Sequence, residues 1–434
     1  MANTKLTRTN GTSTNLKKWT WSAWIKRGII GTQETFVVSR NDDNNYSRIR
    51  TDPDVLQFED RISSSTNTDI KSNEKFRDPN AWMHVVVRID YTQSSAADRA
   101  RMYVNGTEVT YSSTTRQSQD GNSYFNDAVP HALGHYNDNN YFQGCMSHVH
   151  FCDGYSYAPT EFGETDSTTG QWKIKTAPSV TYGNNGYFVL KDGNGVTDQS
   201  GNSNNFTVGS GTLTTLQDCP SDNFAVFNPL IDPASSSQSF NNGNTRIDQD
   251  TSGWGTAISS LAAVSGKFYA EFKASSLTTN GMLVGIVEEQ YQNNLNYVGV
   301  AGAIGYHYNG QVYNRDSNAS FGNAYAQGDI IGVAMDLTNK FVYFSKNGTW
   351  QNSGDPTSGS SGTGGIAIGG STGSAYFFGL SIYNSGYHGE ANFGNGYFGT
   401  TAISSEGTNA SGIGKFEYDV PAGYTALSTK GLNE

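Results

Sequence analysis

Alternating apolar and polar positions mark strands along most of the chain. The run WTWSAWIKR at 19–27 puts Trp19, Trp21 and Ile25 on one strand face, where they anchor a core. Further strands are predicted at 35–39, 46–51 and 55–58, with NDDNN at 41–45 as a turn. WMHVVVRIDY at 82–91 precedes ARMYVNGTEVTY at 100–111, and Asn105-Gly106 between two alternating runs predicts a hairpin. At 144–152 one face carries Ser147, Val149 and Phe151, and the other carries Met146, His148, His150 and Cys152. Asp153-Gly154 breaks that strand, and 158–170 reads as a surface excursion. Strand-like runs resume at 182–190 and 206–213, around the polar segment DQSGNSNN. CPSDNFAVFNPLIDP at 219–233 reads as a connector. Beyond it, alternating segments fall at 253–274, 282–289, 302–314, 328–350, 376–384 and 420–427. Asn309-Gly310 and Asn347-Gly348 each mark a hairpin there. Ile330, Val333 and Met335, with Phe341, Tyr343 and Phe344, supply the bulk for two packed faces. The loops 354–370 and 399–412 are long and poor in apolar residues, and are expected to be mobile or held by a neighbour.

Two sets of motifs carry a resemblance. The run F-x-G-x-x-S-x-V-H-F-x-D-G from Phe142, followed by P-T-E-F-G-E-T-D-x-x-T-G-x-W to Trp172, resembles the closing segment of laminin-G-like (concanavalin A-like) domains in tailed-phage virion proteins. W-x-H-V-V-V at 82–87 and Y-V-N-G at 103–106 are similar to motifs of the same domains. In the second half, S-G-K-x-Y-x-E at 265–271, G-D-x-I-G-V-x-x-D-L at 328–337 and F-x-K-N-G at 344–348 resemble a SPRY domain. The resemblance implies an all-β chain of two tandem concanavalin A-like jelly-roll sandwiches. Residues 1–215 would be laminin-G-like, 216–233 a connector and 234–434 SPRY-like.

Composition supports the all-β reading and narrows the partners. With 434 residues the chain can build more than one core. Its 50 Gly and 25 Tyr, at 15% charged residues, suit strands joined by tight turns. A formal net charge of -11 argues against nucleic acid, because a binder must bring cations to phosphates. Arg48, Arg50 and Arg61 sit among acids and read as a solvated strand face. Cys145, Cys152 and Cys219 cannot make a disulfide framework. Cys145 and Cys152, an odd number apart on one strand, should face opposite ways, reduced and buried, as in a reducing cytoplasm. No charged-then-apolar leader follows Met1 and no run approaches a membrane span, so no membrane insertion is expected.

The chemistry of the side chains points to binding. His148, His150 and Cys152 are the sharpest metal candidate, set aside because their strand face is expected to pack against the other sheet, with Met146 beside it. No metal or cofactor is expected. Calcium is the one ion left open, since laminin-G-like domains often bind it and Asp42-Asp43 and Asp138 lie in acidic loops. The carboxylate pairs Glu59-Asp60 and Glu288-Glu289 are adjacent and diverge, and no G-x-S-x-G elbow occurs, so no enzyme is expected. Aromatic faces with amide partners suit sugars. The candidates are Tyr136 and Tyr141 in YNDNNY, Tyr306, Tyr308 and Tyr313 around the Asn309 hairpin, and Tyr383, Tyr387 and His388 in YNSGYHG. Through the resemblance, this is expected to be a non-enzymatic phage virion surface protein, a tail fibre, tail-associated adhesin or capsid decoration. It would be assembled in the host cytoplasm and displayed on the virion. Its expected partners are other virion proteins and host cell-surface glycans, with a homo-oligomer compatible. A capsule-degrading glycosidase on the same fold and a SPRY-type adaptor are the alternatives.

Overall fold

The computed structural model describes residues 3–191, 195–231, 238–277, 281–371 and 373–434. The chain divides into the units Met1–Thr215 and Leu216–Glu434. Strands hold 45% of the residues and helices 4%, so the architecture is almost all-β. Of the sequence expectations, the leader position at Met1, the connector's last residues (232 and 233) and the start of the second domain at 234–237 lie outside the described residues.

Two sheets face each other in the first unit. One runs in the order Tyr111–Thr115, Ser65–Lys75, Val55–Ile62, Asn45–Thr51, Glu34–Asp42, Pro130–Leu133, Lys5–Thr9, Thr207–Ser210. The other runs Tyr187–Val189, Gly144–Asp153, Lys18–Arg27, Met83–Asp90, Ala100–Val104, Thr107–Glu108. Trp19, Trp21, Ala23 and Ile25 alternate inward from Lys18–Arg27 into the core between them, as the spacing predicts. Trp19 stacks on Phe125 at 4.2 Å between centroids, and its indole N–H donates to Ser123 Oγ at 3.0 Å. The hairpin at Asn105-Gly106 is present, with φ of 48° and 78°, the left-handed pair that the turn requires.

The strand Gly144–Asp153 departs from simple alternation. Ser147 pairs with Trp24 but His150 pairs with Ser22, so three steps on one strand oppose two on the other. His148, at φ 49°, is the extra residue of a β-bulge. The inserted residue shifts the parity of everything beyond it. Met146 therefore shares the core side with Val149 and Phe151, whereas Ser147, His150 and Cys152 sit on the other side. Cys145 pairs with Lys26 and Cys152 with Thr20, so the two cysteines face the same way, contrary to expectation; Cys152 is buried and Cys145 half-buried.

Residues 154–186 close over the outer face of this second sheet. Trp172 donates its indole N–H to His84 Nδ1 at 3.0 Å, so His84 Nε2 carries the proton and meets Ser22 Oγ at 2.8 Å. A side chain at Gly106 or Gly163 would strike the Trp172 ring. His150 lies 3.9 Å from the Phe188 ring, and its Nδ1 is 2.9 Å from the Tyr182 hydroxyl. The outer face is thus a second packed layer.

In the second unit, one sheet runs Gln238–Asn241, Arg246–Gln249, His388–Asn392, Lys267–Ser276, Ile330–Asp336, Phe341–Lys346, Thr349–Trp350. The other runs Trp254–Ile258, Tyr376–Tyr383, Met282–Glu288, Ala303–His307, Gln311–Asn314, Ser317–Ser320. Val284, Ile286, Phe272, Val333, Met335, Phe344 and Phe378 lie in the core between them.

Two expectations about loops are corrected. Residues 219–231 are part of the second unit and not a linker. Ala225 and Phe227 are fully buried in its core, Ala225 N–H donates to Leu427 O at 2.9 Å, and Phe227 N–H donates to Asn244 O at 2.8 Å. Prolines suggested a connector, but the apolar run between them is a core segment. The loops 354–370 and 399–412 are held by their own chain. Ile366–Ala367 pairs with Phe341–Lys346, Tyr424 hydroxyl donates to Pro356 O at 3.2 Å, and Thr401–Ala402 pairs with Tyr397–Phe398. Backbone and side-chain hydrogen bonds replace the missing apolar contacts.

Candidate functional site

On the first unit the candidates Tyr136 and Tyr141 pack on different partners. Strands Glu34–Asp42 and Asn45–Thr51 project Arg40, Tyr46 and Arg48 toward Tyr136. Its ring lies 4.3 Å from the Arg48 guanidinium carbon and 5.4 Å from the Tyr46 ring. Arg48 also pairs with Glu59 at 2.9 Å, and Arg50 Nε donates to Gln57 Oε1 at 2.7 Å. Arg48 and Arg50 are only 8% and 7% exposed, so the expected solvated face is corrected: flat guanidinium groups lie along the sheet under Tyr136 and among carboxylates. Tyr141 stacks instead on His135 at 5.9 Å.

The second unit gathers aromatic residues on the outer face of the sheet that contains Met282–Glu288. Three strand-interior glycines, Gly379, Gly285 and Gly305, are paired side by side across that face. They leave a trough, and the segment around Val298 lies in it: a Cβ on Gly305 would come within 2.2 Å of Val298 O, and one on Gly379 within 2.9 Å of Val298 Cγ2. Val298 N–H donates to Ser381 Oγ at 2.9 Å, and Thr256 Oγ1 donates to Asn296 O at 3.0 Å. This crossing delivers Tyr297 between Trp254 (5.2 Å between centroids) and Tyr313 (6.0 Å). His307 closes the circuit at 5.2 Å from Tyr313 and 6.4 Å from Trp254, and Tyr383 meets Trp254 at 5.1 Å. The four larger rings are half-buried, and His307 is 8% exposed beneath them.

Of the sequence candidates, Tyr313 and Tyr383 belong to this group, and Tyr308 touches its edge through His307 at 4.6 Å. Tyr306 does not belong, which corrects the expectation for it. It is fully buried in the core, bonded through its hydroxyl to Asn323 O and packed on Tyr325, because its strand position faces the opposite sheet. Tyr387 packs against the core, and His388 sits on the other sheet with Nδ1 3.8 Å from Asp248. Sequence reading missed Trp254, Tyr297 and His307. The one trace of them in the sequence is a glycine inside each of three otherwise apolar strands, which marks a close backbone approach only once the strands are seen to pair.

Many of the ionisable groups are engaged within the fold. Burial raises Glu34 to about 7 against Arg27 at 2.9 Å, raises Asp60 to about 6, and raises Glu271 to about 7. Burial lowers His84 to about 3 and holds His131 and His150 well below the usual imidazole range. Glu59 and Asp60 point to opposite faces, as expected, with Glu59 on Arg48 and Asp60 on Ser47. Glu288 accepts from Ser371 N–H and Ser374 Oγ, each at 2.9 Å, and Glu289 from Ala375 N–H at 3.1 Å. Asp138 pairs with Lys5 at 2.5 Å, Asp43 with Arg40 at 2.8 Å, and Asp42 accepts from Asn44 N–H at 2.8 Å. Among the described residues, no group of three or more His, Cys, Asp and Glu side chains could hold a metal ion. Among them, too, no helix is long and apolar enough to cross a membrane.

Comparison with known proteins matches residues 2–161 to the Laminin_G_3 family, described as the concanavalin A-like lectin/glucanases superfamily. Residues 267–366 match the SPRY domain. No curated protein matches the chain. Similar solved structures include the SPRY domain of human HERC1, at 17% identity and TM-score 0.31, covering 38% of this chain and 96% of that one. A human SPRY domain is similar at 20% identity and TM-score 0.27, covering 34% and 90%. The TRIM65 PSpry domain is similar at 11% identity and TM-score 0.29, covering 39% and 91%. The chain therefore carries a concanavalin A-like domain followed by a SPRY domain, two jelly-roll folds in tandem.

Proposed function

From a concanavalin A-like domain followed by a SPRY domain, we propose a non-enzymatic binding protein of a tailed-phage particle surface. It would serve as a tail fibre, a tail-associated adhesin or a capsid decoration. The observation that carries the binding role is the half-buried aromatic group on the second unit, held on the outer face of a paired sheet. The phage setting is supported by the segment from Phe142 to Trp172 and its resemblance to virion proteins. Single contacts of this kind are weak, so useful adhesion would come from many copies on one particle.

Fractionating purified particles and probing for the chain tests this reading. Its presence at fixed copy number is expected, and its absence from the virion ends the proposal. Incubation with capsular polysaccharide is expected to release no new reducing ends. Release would instead favour a glycosidase. The SPRY domain also favours a second reading, an adaptor that docks another virion protein. Expressing 1–215 and 216–434 separately and asking which binds particles and which binds cells separates the two.

A further inference from the structure

We propose that Trp254, Tyr297, His307, Tyr313 and Tyr383 form a binding site for neutral pyranose chains. The inference rests on the binding role proposed above and adds the class of ligand and its place. The rings make a closed circuit, Trp254–Tyr297–Tyr313–His307, with neighbouring centroids 5.2 to 6.4 Å apart. Their planes are tilted, by 37° for Trp254 and Tyr297 and by 84° for Tyr297 and Tyr313. The surface is therefore ridged, which suits the puckered C–H face of a pyranose better than a flat base or ring.

The group is also fixed in place. Val298 anchors the segment that carries Tyr297, and Gly299 leaves no room for a side chain beside Tyr313, where a Cβ would lie 2.5 Å from the tyrosine Cβ. Preorganised rings lose little freedom on binding. Polar groups surround them. Exposed Asn318 pairs opposite Tyr313, half-buried Gln311 shares its strand, and exposed Asp316 lies within electrostatic reach of Tyr297. These can exchange hydrogen bonds with sugar hydroxyls. Asp316, in a chain of formal net charge -11, repels a uronate or other acidic sugar, which limits the ligand to neutral chains.

Affinity electrophoresis of the full chain through gels containing dextran, mannan or soluble starch tests this, with polygalacturonate as the acidic control. Retardation by at least one neutral polymer and none by polygalacturonate is expected. Trp254→Ala and Tyr313→Ala should each weaken it by about tenfold. Asp316→Lys, at an exposed position, should gain retardation by polygalacturonate and keeps the test decisive if the alanine variants fold poorly. No retardation by any neutral polymer overturns the site, as does full retention in well-folded alanine variants or an unchanged response of Asp316→Lys to polygalacturonate. A chain found on particles that binds none of these polymers would sink this inference alone.

Discussion

Glu271 has no exposed surface, yet its carboxylate accepts hydrogen bonds from Glu417 N–H, Tyr418 N–H, Asn392 Nδ2 and the Tyr269 hydroxyl. It ties residues 417 and 418 to the central strand of the second unit. Glu271→Ala strands buried donors and should destabilise that unit by about 2–4 kcal/mol, read from its urea midpoint. Thiol chemistry gives a second expectation. Burial pushes the Cys152 thiol far above its ordinary value, while Cys145 and Cys219 are half-buried. A native-state titration with a thiol reagent should modify Cys145 and Cys219 and spare Cys152 until the chain unfolds. At this scale the sequence was legible where one residue's own chemistry decides. Asn105 and Asn347 adopt left-handed φ values of 48° and 47° before glycine because few other residues accept them. It was illegible where the neighbour decides, as for Tyr306, whose core position depends on which sheet its strand faces, and for Arg48, which Tyr136 helps cover.

Strands followed the alternation closely, and Lys18–Arg27 and Met83–Asp90 lie where the pattern puts them. The bulge at His148 did not announce itself, because one inserted residue leaves local composition unchanged while reversing every later side chain. The glycine trough is similar. Gly285, Gly305 and Gly379 stand far apart in sequence and acquire meaning only when their strands pair. Gly305→Val should therefore push the Val298 segment off the sheet. The expected result is loss of near-ultraviolet circular dichroism from the Trp254 group with far-ultraviolet strand signal retained. An unchanged aromatic spectrum would mean that the segment is not seated in the trough.

Across the whole molecule, the two units should answer acid differently. In the first, His84, His131, His135 and His150 are held below their ordinary value, mainly by burial. The unfolded chain takes up those protons once pH falls below about 6.5, so stability is lost on acidification. Glu34 and Asp60 act the other way, since their raised values favour the folded state as pH falls from about 7 toward the ordinary carboxylate range, but the histidines outnumber them. In the second unit, Glu271 at about 7 strengthens the fold over the same interval, and the partly buried His388, held below its ordinary value mainly by burial, works against it. Calorimetry between pH 7 and pH 5 should show the first unit's transition falling by several degrees while the second holds or rises. Parallel downward shifts would contradict this balance. Each unit is also completed by joining its beginning to its end: Lys5–Thr9 pairs with Thr207–Ser210, and Phe224 bridges Ser428. A ribosome must therefore deliver some two hundred residues before either seam can zip. Over that interval the growing chain is vulnerable to proteases and to self-association, and a nonsense codon just short of residue 428 would abolish the second unit almost as completely as one near its start.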